Sequence, residues 1–407
     1  MSAHKKAGVC IVYSADPLGD IPGGIDTFIR GVLRYVPPDI CMRVVGITTD
    51  RIKRPVNQWT TCELGNQTFE FYPVITVKSS QKQARFPVTL RFLLALLRHR
   101  LKISADILEF HRIEPCLGFL RDDRPKTLVM HQNMNVLRNA DSDIRWKYCP
   151  KLYFMLEDLL VPRFSSIYCV REDATTDYRE RFPALRSRIH FTPTWVDTDV
   201  FRPPTIEERT HGRQMLAARI GPVRDPFVLI TVGRLDKQKN PLLLIESFRL
   251  LYESMPNARL LLIGDGVLRR QIEGRLKRHG LESAVRLCGI KSRHEVAQYL
   301  RSSDVFVLSS AYEGMPICVL EALGSGLPVV STDVGEVARV VRPGVNGELV
   351  SVHTPESLAD AIRHCHENIE HYRGRPCTDA VQDFTPAKVL RPIYDNYRRL
   401  AADPVDP

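Results

Sequence analysis

The sequence predicts an α/β protein: two doubly wound, Rossmann-like parallel-sheet domains facing across a cleft. Three observations predict it. The chain has 407 residues, too many for one compact domain at roughly 150 residues each. Its composition, 44% apolar and 26% charged, is globular and excludes a wholly disordered or fibrous protein. Short apolar, β-rich runs alternate with longer amphipathic stretches. Parallel strands covered on both faces by crossover helices read this way.

In order along the chain, strands are predicted over 9–15, 42–49, 106–111, 127–131, 166–170 and 189–192, with helices over 25–35 and 87–102. The second half repeats the pattern, with strands over 227–232, 259–263, 285–288, 305–309 and 328–332 and helices over 241–254, 268–279, 293–301, 316–324 and 355–368. The alternation breaks over 201–224, which is Pro-rich, charged and without an apolar period. The predicted organisation is an N-terminal domain at 1–205, a linker at 206–224, a C-terminal domain at 225–378, and a tail at 379–407 whose helix crosses back to the N-terminal domain. Ligands of parallel sheets bind beyond the carboxyl ends of the strands, so the cleft is the expected site.

Lys and Arg total 57 against 47 Asp and Glu, a net charge of +10, which points to anionic partners. One local source is the stretch 71–105, which holds no acidic residue. Within it, Lys78, Lys82, Arg85, Arg91, Arg98, Arg100 and Lys102 interleave with Phe86, Phe92, Leu94 and Leu97. A basic amphipathic segment at 78–102 fits an anionic membrane surface, and equally a packed helix with a basic outer face. The longest apolar run, 92–97, falls far short of the ~20 residues of a membrane span. No signal-like segment is seen near Lys5 and Lys6, so the expected location is cytoplasmic, peripheral on the inner face of the cell membrane. The ten cysteines form no Cys-x-x-Cys pair and read as reduced structural thiols.

Other chemistries find little support. Asp141-Ser142-Asp143 and Asp197-Thr198-Asp199 match an Asp-x-Asp cation motif, but they fall in a polar loop and at the domain junction rather than at strand ends, so no metal is expected. Gly264-Asp265-Gly266 follows a strand, but Arg269 replaces the third glycine of a dinucleotide fingerprint. There is no P-loop and no nucleic-acid module.

Two loops of the second half carry the chemistry. The first, Gly233-Arg234-Leu235-Asp236-Lys237-Gln238-Lys239-Asn240, joins a strand to a helix opened by Pro241, with Asn240 as the expected N-cap. Three cations in a loop ending at a helix N-terminus favour an anion. At an effective dielectric near 20, each close charge pair is worth about 4 kcal/mol, enough to hold a diphosphate leaving group without a metal. The second loop follows the strand at 305–309 and holds Glu313, Gly314, Met315 and Pro316, with Glu321 in the next helix. Pro316 at the first helical position prevents one continuous helix. Two carboxylates near one cleft suit sugar hydroxyls. The Gly314 and Met315 amides suit a phosphate or a sugar.

In the first half, Ile21-Pro22-Gly23-Gly24-Ile25 follows the first strand, and paired glycines let backbone approach a ligand. His131 ends the strand at 127–131 and faces the expected cleft, with His111 a weaker candidate of the same kind.

Together these residues resemble the glycosyltransferase family 4 group: retaining, nucleotide-sugar-dependent enzymes of the GT-B fold, among them bacterial exopolysaccharide and lipopolysaccharide mannosyl- and glucosyltransferases. The carriers are the run 233–240 and the Glu-x7-Glu run Glu313-Gly314-Met315-Pro316-Ile317-Cys318-Val319-Leu320-Glu321. Ile263-Gly264-Asp265-Gly266, Asp333-Val334-Gly335-Glu336 and Gly344-Val345-Asn346-Gly347 support them. The likeness is dense over 225–350 and thin before it. It implies an acceptor-binding N-terminal domain and a donor-binding C-terminal one. Arg234 and Lys239 would bind the diphosphate, Glu313 the transferred sugar and Glu321 the ribose. Gly233 and Gly314 to Pro316 would line the donor pocket, with Gly23 and Gly24 beside the phosphates. His131 would polarise the acceptor or donate to the sugar. The catalytic set is thus Arg234, Lys239, Glu313 and His131. One departure is Thr194-Trp195-Val196-Asp197, where the group commonly has Asn-Gly-Val-Asp.

The expected activity is hexose transfer, with retention, from GDP-mannose or a UDP-sugar to a glycan or polyprenyl-diphosphate-linked acceptor in cell-surface polysaccharide synthesis. No cofactor is expected, and no nucleic acid. The alternatives are a nucleotide-sugar epimerase or phosphorylase on the same scaffold, and a non-catalytic sugar-nucleotide-binding scaffold.

Overall fold

The structure, a computed structural model of the chain, describes residues 6–19, 24–77, 87–99, 101–131, 145–221 and 223–402. The chain divides into two compact units, Met1–Thr194 with Pro386–Pro407, and Trp195–Thr385.

The first unit is built on β1 (Ala7–Val12), β2 (Ile40–Thr48), β3 (Thr60–Leu64), β4 (Gln67–Thr76), β5 (Ile107–Phe110), β6 (Lys126–Met130), β7 (Ser166–Cys169) and β8 (Ile189–Phe191). They form one sheet in the order β3-β4-β2-β1-β5-β6-β7-β8. Its helices are α1 (Gly24–Arg34), α2 (Val88–Arg98), α3 (Pro150–Leu160) and α4 (Glu172–Arg181). Neighbouring strands run parallel except at the edge, where β3 and β4 pair antiparallel. That hairpin is absent from the sequence reading, though Gly65-Asn66 between Leu64 and Gln67 is a two-residue turn signal, with Gly65 at φ 64°. Cys10 and Val12 pack with Phe92, Phe110, Leu128 and Phe164 into one core.

The second unit carries β9 (Phe227–Val232), β10 (Ala258–Ile263), β11 (Val285–Gly289), β12 (Val305–Leu308), β13 (Val329–Thr332) and β14 (Gly347–Val350) in the order β11-β10-β9-β12-β13-β14. The paired strands are parallel throughout. Its helices are α5 (Ile206–Ile220), α6 (Pro241–Ser254), α7 (Arg269–His279), α8 (Arg293–Ser302), α9 (Ile317–Gly324), α10 (Pro355–Glu367), α11 (Ile369–Tyr372) and α12 (Arg375–Asp379). Alternate residues of one strand serve opposite faces, as the period of two requires. Val228, Ile230, Phe306 and Leu308 join one core, while Phe227, Leu229, Val305 and Val307 join the other. Burying each such side chain is worth about 1.5–3 kcal/mol.

The expected linker at 206–224 is corrected: most of it is α5, packed within the second unit. Only Leu216 and Ile220 of α5 are buried, so the stretch shows no apolar period. Its start was nevertheless written locally. Thr205 accepts from the Glu208 amide at 3.1 Å, and the Glu208 carboxylate accepts from the Thr205 amide at 2.9 Å, a reciprocal capping box.

The last helix, α13 (Pro386–Ala402), belongs to the first unit. The Tyr394 hydroxyl donates to the Val32 carbonyl at 2.9 Å, and Arg398 pairs with Asp39 at 2.7 Å.

Both sheets change direction once. Strand order grows outward from the β1/β5 pair in the first unit and from the β9/β12 pair in the second. Loops leaving the carboxyl ends of those two pairs diverge and leave a crevice, the usual ligand place of an open parallel sheet.

Candidate active site

At the β9/β12 switch point of the second unit, two loops meet. β9 runs out at Val232, and the chain turns through Gly233 and Arg234 to α6. β12 runs out at Leu308 and delivers Ser309, Ser310 and Glu313 before α9. Lys239 donates from Nζ to Glu313 Oε1 at 2.7 Å, and Ser310 Oγ donates to the same oxygen at 2.7 Å. Gln238 Nε2 reaches the Tyr312 carbonyl at 3.3 Å. Ser309 Oγ donates to the carbonyls of Lys239 and Asn240 at 3.0 and 3.1 Å, clamping one loop to the other.

Burial works against the Lys239 ammonium, but Cys318 and Glu313 outweigh it and hold its pKa above the ordinary value. The Cys318 thiol is itself pushed up to about 11 by burial, so it is neutral near pH 7, and Glu313 is the partner that counts. Arg234 is more open, its side chain 66% exposed. It reaches Asp236 at 3.0 Å and Gln238 at 3.0 Å and lines one small pocket with Gly233, Lys239 and Ser309. Arg234 also lowers the Lys239 pKa, so the two cations share one field. An anion placed there would exchange weak, solvated partners at Arg234 for charge-assisted ones.

Two helix starts at this switch point lack a side-chain cap. No side chain caps α9, so its first amides have no side-chain acceptor. Pro316 is the cap residue, in extended conformation, rather than the first helical residue expected from sequence. Asn240 holds the cap position of α6 as expected, but at φ 44° and without a side-chain cap bond.

The glycine motifs around this site have a common physical reason. Gly264, at φ 133°, lies so close that a Cβ would collide with the Gly233 carbonyl, and a Cβ on Gly266 would meet the backbone of Leu235. Gly335, at φ 58°, sits equally tight on the carbonyls of Glu313 and Gly314, and the Glu336 amide donates to the Gly314 carbonyl at 2.9 Å. One glycine loop braces the Arg234 loop and the other braces the Glu313 loop. Asn346 braces a turn instead: its side chain accepts from the Arg342 amide at 2.7 Å and donates to the Val340 carbonyl at 2.9 Å.

Glu321, midway along α9, is half-buried and forms no side-chain hydrogen bond or ion pair among the described residues. Burial pushes its pKa up to about 7, with Arg293 lowering and Asp197 raising it. Asp197 pairs with Arg293 at 2.9 Å, and the Arg293 guanidinium lies over the Phe201 ring at 5.2 Å. Thr194 and Trp195 of the departing motif are buried beside them in sequence, where the chain passes between units. Asp197 is thus engaged as an ion-pair partner. Asp141 and Asp143 lie outside the described residues.

In the first unit, Gly24 opens α1, and Gly23 lies outside the described residues. His131 stands just beyond β6, half-buried, and its Nε2 is 2.8 Å from His111 Nδ1. His111 Nε2 is 3.1 Å from Glu109 Oε1, and the Tyr397 hydroxyl donates to Glu109 Oε2. Burial, then His111 and Arg112, hold the His131 pKa well below the ordinary value, so the ring is neutral at pH 7. The sequence reading missed Glu109, Tyr397 and Ser310. Glu109 stands in the middle of an apolar strand, and that misplaced charge was the one available signal.

Residues 214–373 match the profile of the family described as Glycosyl transferases group 1. Over 110 residues the chain is 41% identical to an uncharacterized glycosyltransferase of Methanocaldococcus jannaschii, covering 27% of each chain. It is 28% identical over 214 residues to the UDP-Gal:alpha-D-GlcNAc-diphosphoundecaprenol alpha-1,3-galactosyltransferase of Escherichia coli, covering 52% of this chain and 54% of that one. The chain thus spans about half or less of these relatives' length. Among solved structures, Anabaena HepE in complex with UDP-glucose superposes with a TM-score of 0.71 at 16% identity, covering 96% of this chain and 100% of that one. The architecture is the GT-B fold, and residues 214–373, within its second unit, match the glycosyl transferases group 1 profile.

Proposed function

We propose that the protein is a retaining glycosyltransferase that moves a hexose from a nucleotide-diphosphate sugar to a glycan or polyprenyl-diphosphate-linked acceptor. The observation that carries the reading is the Lys239–Glu313–Ser310 cluster beside Arg234 at the second switch point. In this reading Arg234, Lys239 and the α9 amides take the diphosphate as negative charge grows on the leaving oxygen. Glu313, released from Lys239 as phosphate replaces it, accepts from hydroxyls of the transferred hexose. Glu321 accepts from the ribose diol. The acceptor hydroxyl attacks the face that the diphosphate leaves, and the departing phosphate oxygen takes its proton, so no covalent glutamate intermediate forms. His131 touches the acceptor or the sugar. The positive charge comes from side chains and amides, so no metal is required. The activity is expected to persist in EDTA.

For the donor, the Escherichia coli relative is named for UDP-Gal and for a polyprenyl-diphosphate acceptor, so UDP-sugars enter first and GDP-mannose second. The purified chain is incubated with each nucleotide sugar, with and without acceptor glycolipids. Acceptor-dependent release of nucleoside diphosphate with an α-linked product is expected. Conversion of the nucleotide sugar alone would mean an epimerase. Full activity of Arg234→Ala in cells would mean a scaffold.

The acceptor class favours a membrane surface. No helix among the described residues is long and apolar enough to cross a membrane. Yet α2 exposes Leu90, Leu94 and Leu97, and α3 exposes Leu152, Met155 and Leu159. Arg91 and Arg98 accompany the first set on α2, while Lys78, Lys82, Arg85 and Arg100 lie outside the described residues. The protein is expected to co-sediment with phosphatidylglycerol vesicles at low salt, and Leu94→Glu to weaken this. Absence of binding to anionic and neutral vesicles alike would remove the membrane from the proposal.

A further inference from the structure

The first unit carries a buried polar chain at its own switch point. β5 is the central strand beside β1, and its Glu109 is fully buried. Glu109 and His111 are two residues apart and share a face of the sheet. The Tyr397 hydroxyl from α13 donates to one oxygen of Glu109, and His111 Nε2 meets the other. Burial, then Glu109, hold the Tyr397 phenol well above its ordinary pKa, so it stays a donor. His111 is boxed by the Tyr13 ring at 5.8 Å and the Phe28 ring at 5.7 Å, and it stacks on His131 at 5.1 Å. Phe28 also meets His131 edge-on at 5.0 Å. Neither imidazole is therefore at liberty to turn.

The tautomers follow from the acceptors. An ionised carboxylate accepts only, so His111 donates from Nε2. At 3.1 Å this contact has the length of an ordinary N–H···O bond, and Tyr397 supplies the carboxylate's second donor. With the His111 proton on Nε2, its Nδ1 is bare and accepts from the Nε2–H of His131 at 2.8 Å. We propose that Glu109 and His111 are positioning residues that fix His131 in the Nε2–H tautomer and leave its Nδ1 as a hydrogen-bond acceptor for a substrate hydroxyl. Arg112 is the cation beside these rings, and its charge also disfavours an imidazolium at His131. The chain narrows the part expected of His131: it accepts from a hydroxyl of the acceptor other than the attacking one, whose proton goes to the departing phosphate oxygen, and it does not donate to the sugar. Only this last assignment rests on the transferase reading; the hydrogen-bond chain stands without it.

The test has two readouts. Long-range proton–nitrogen correlation spectra of histidine-labelled protein without substrate report the tautomers, with His131 identified by its loss in His131→Asn. Both rings are expected neutral and Nε2-protonated at pH 7. An imidazolium at either ring, or an Nδ1–H tautomer at His131, overturns the proposal. Glu109→Gln leaves one oxygen where two donors converge, so a mixture of tautomers is expected at His131, whereas Tyr397→Phe keeps the single form. In turnover, Glu109→Gln is expected to lower kcat about a hundredfold, the scale of a misplaced substrate-orienting group, with donor KM within about twofold. A lowered melting temperature with unchanged kcat would make Glu109 structural and sink the positioning role. Should the wild type turn over no nucleotide sugar, the transferase reading fails while the tautomer result is still read.

Discussion

The two switch points are built from opposite materials. In the second unit the candidate side chains stand on loops and are paired within or between two short sequence runs, Lys239 with the buried Glu313 and the exposed Arg234 with Asp236. In the first unit the corresponding place is a buried hydrogen-bond chain whose members come from β5 and its end, the end of β6 and α13. The difference teaches where charge can be kept. A site for a diphosphate needs cations that trade water and weak partners for phosphate, so it stays open. A ring that must hold one tautomer needs neighbours that cannot move, so it is buried.

The largest break in this contrast is at Lys239. Lys239→Ala is expected to lower turnover by about two or more orders of magnitude, a loss of about 2–4 kcal/mol of leaving-group stabilisation. Steady-state kinetics with the preferred donor measure it, and Arg234→Ala is expected to behave alike. A fall of less than tenfold in both would mean that the open loops do not hold the leaving group.

Glu321 sharpens the contrast, because it is a half-buried carboxylate on the open side. Its folded pKa of about 7 lies above the usual 4.5, so the folded chain binds a proton that the unfolded chain has lost. This contribution is therefore lost as pH rises from about 4.5 through about 7, and stability falls over that window. Glu321→Gln removes the charge. The variant is expected to melt higher than the wild type at pH 8, with the gap closing towards pH 4, while its affinity for nucleoside diphosphate falls. Calorimetry at both pH values and a binding titration check the two halves. Tighter nucleotide binding by the variant would remove Glu321 from the ribose.

The smallest effect is expected away from both regions. Thr205→Ala breaks the α5 capping box and costs about 1 kcal/mol of stability, with turnover unchanged. Denaturant midpoints measure it. A change in kcat would show that α5 is coupled to the chemistry.

The same contrast explains what the sequence disclosed. The parallel architecture was legible because buried strands keep apolar runs whatever the function. The second-unit loops were legible because Arg234 and Lys239, and Glu313 and Glu321, are each spaced within one strand–loop–helix unit. The bracing glycines were visible as motifs, but their reason was not, since Gly264 and Gly335 act on backbone from other loops. The relay was not legible as a whole: Tyr397 and Glu109 are 288 positions apart, and no local pattern joins them. α5 was misread because its polar sequence hides a helix whose only plain sign is Thr205-x-x-Glu208.

One consequence follows from the return of α13. The first unit is closed by residues made after the second unit is complete, and Tyr397 is among them. On the ribosome, the second unit is expected to reach its native state while the first still lacks a wall, with Glu109 short of one donor. Arrested nascent chains should therefore gain protease resistance in the second unit before the first. The half that emerges first would be the last to become competent.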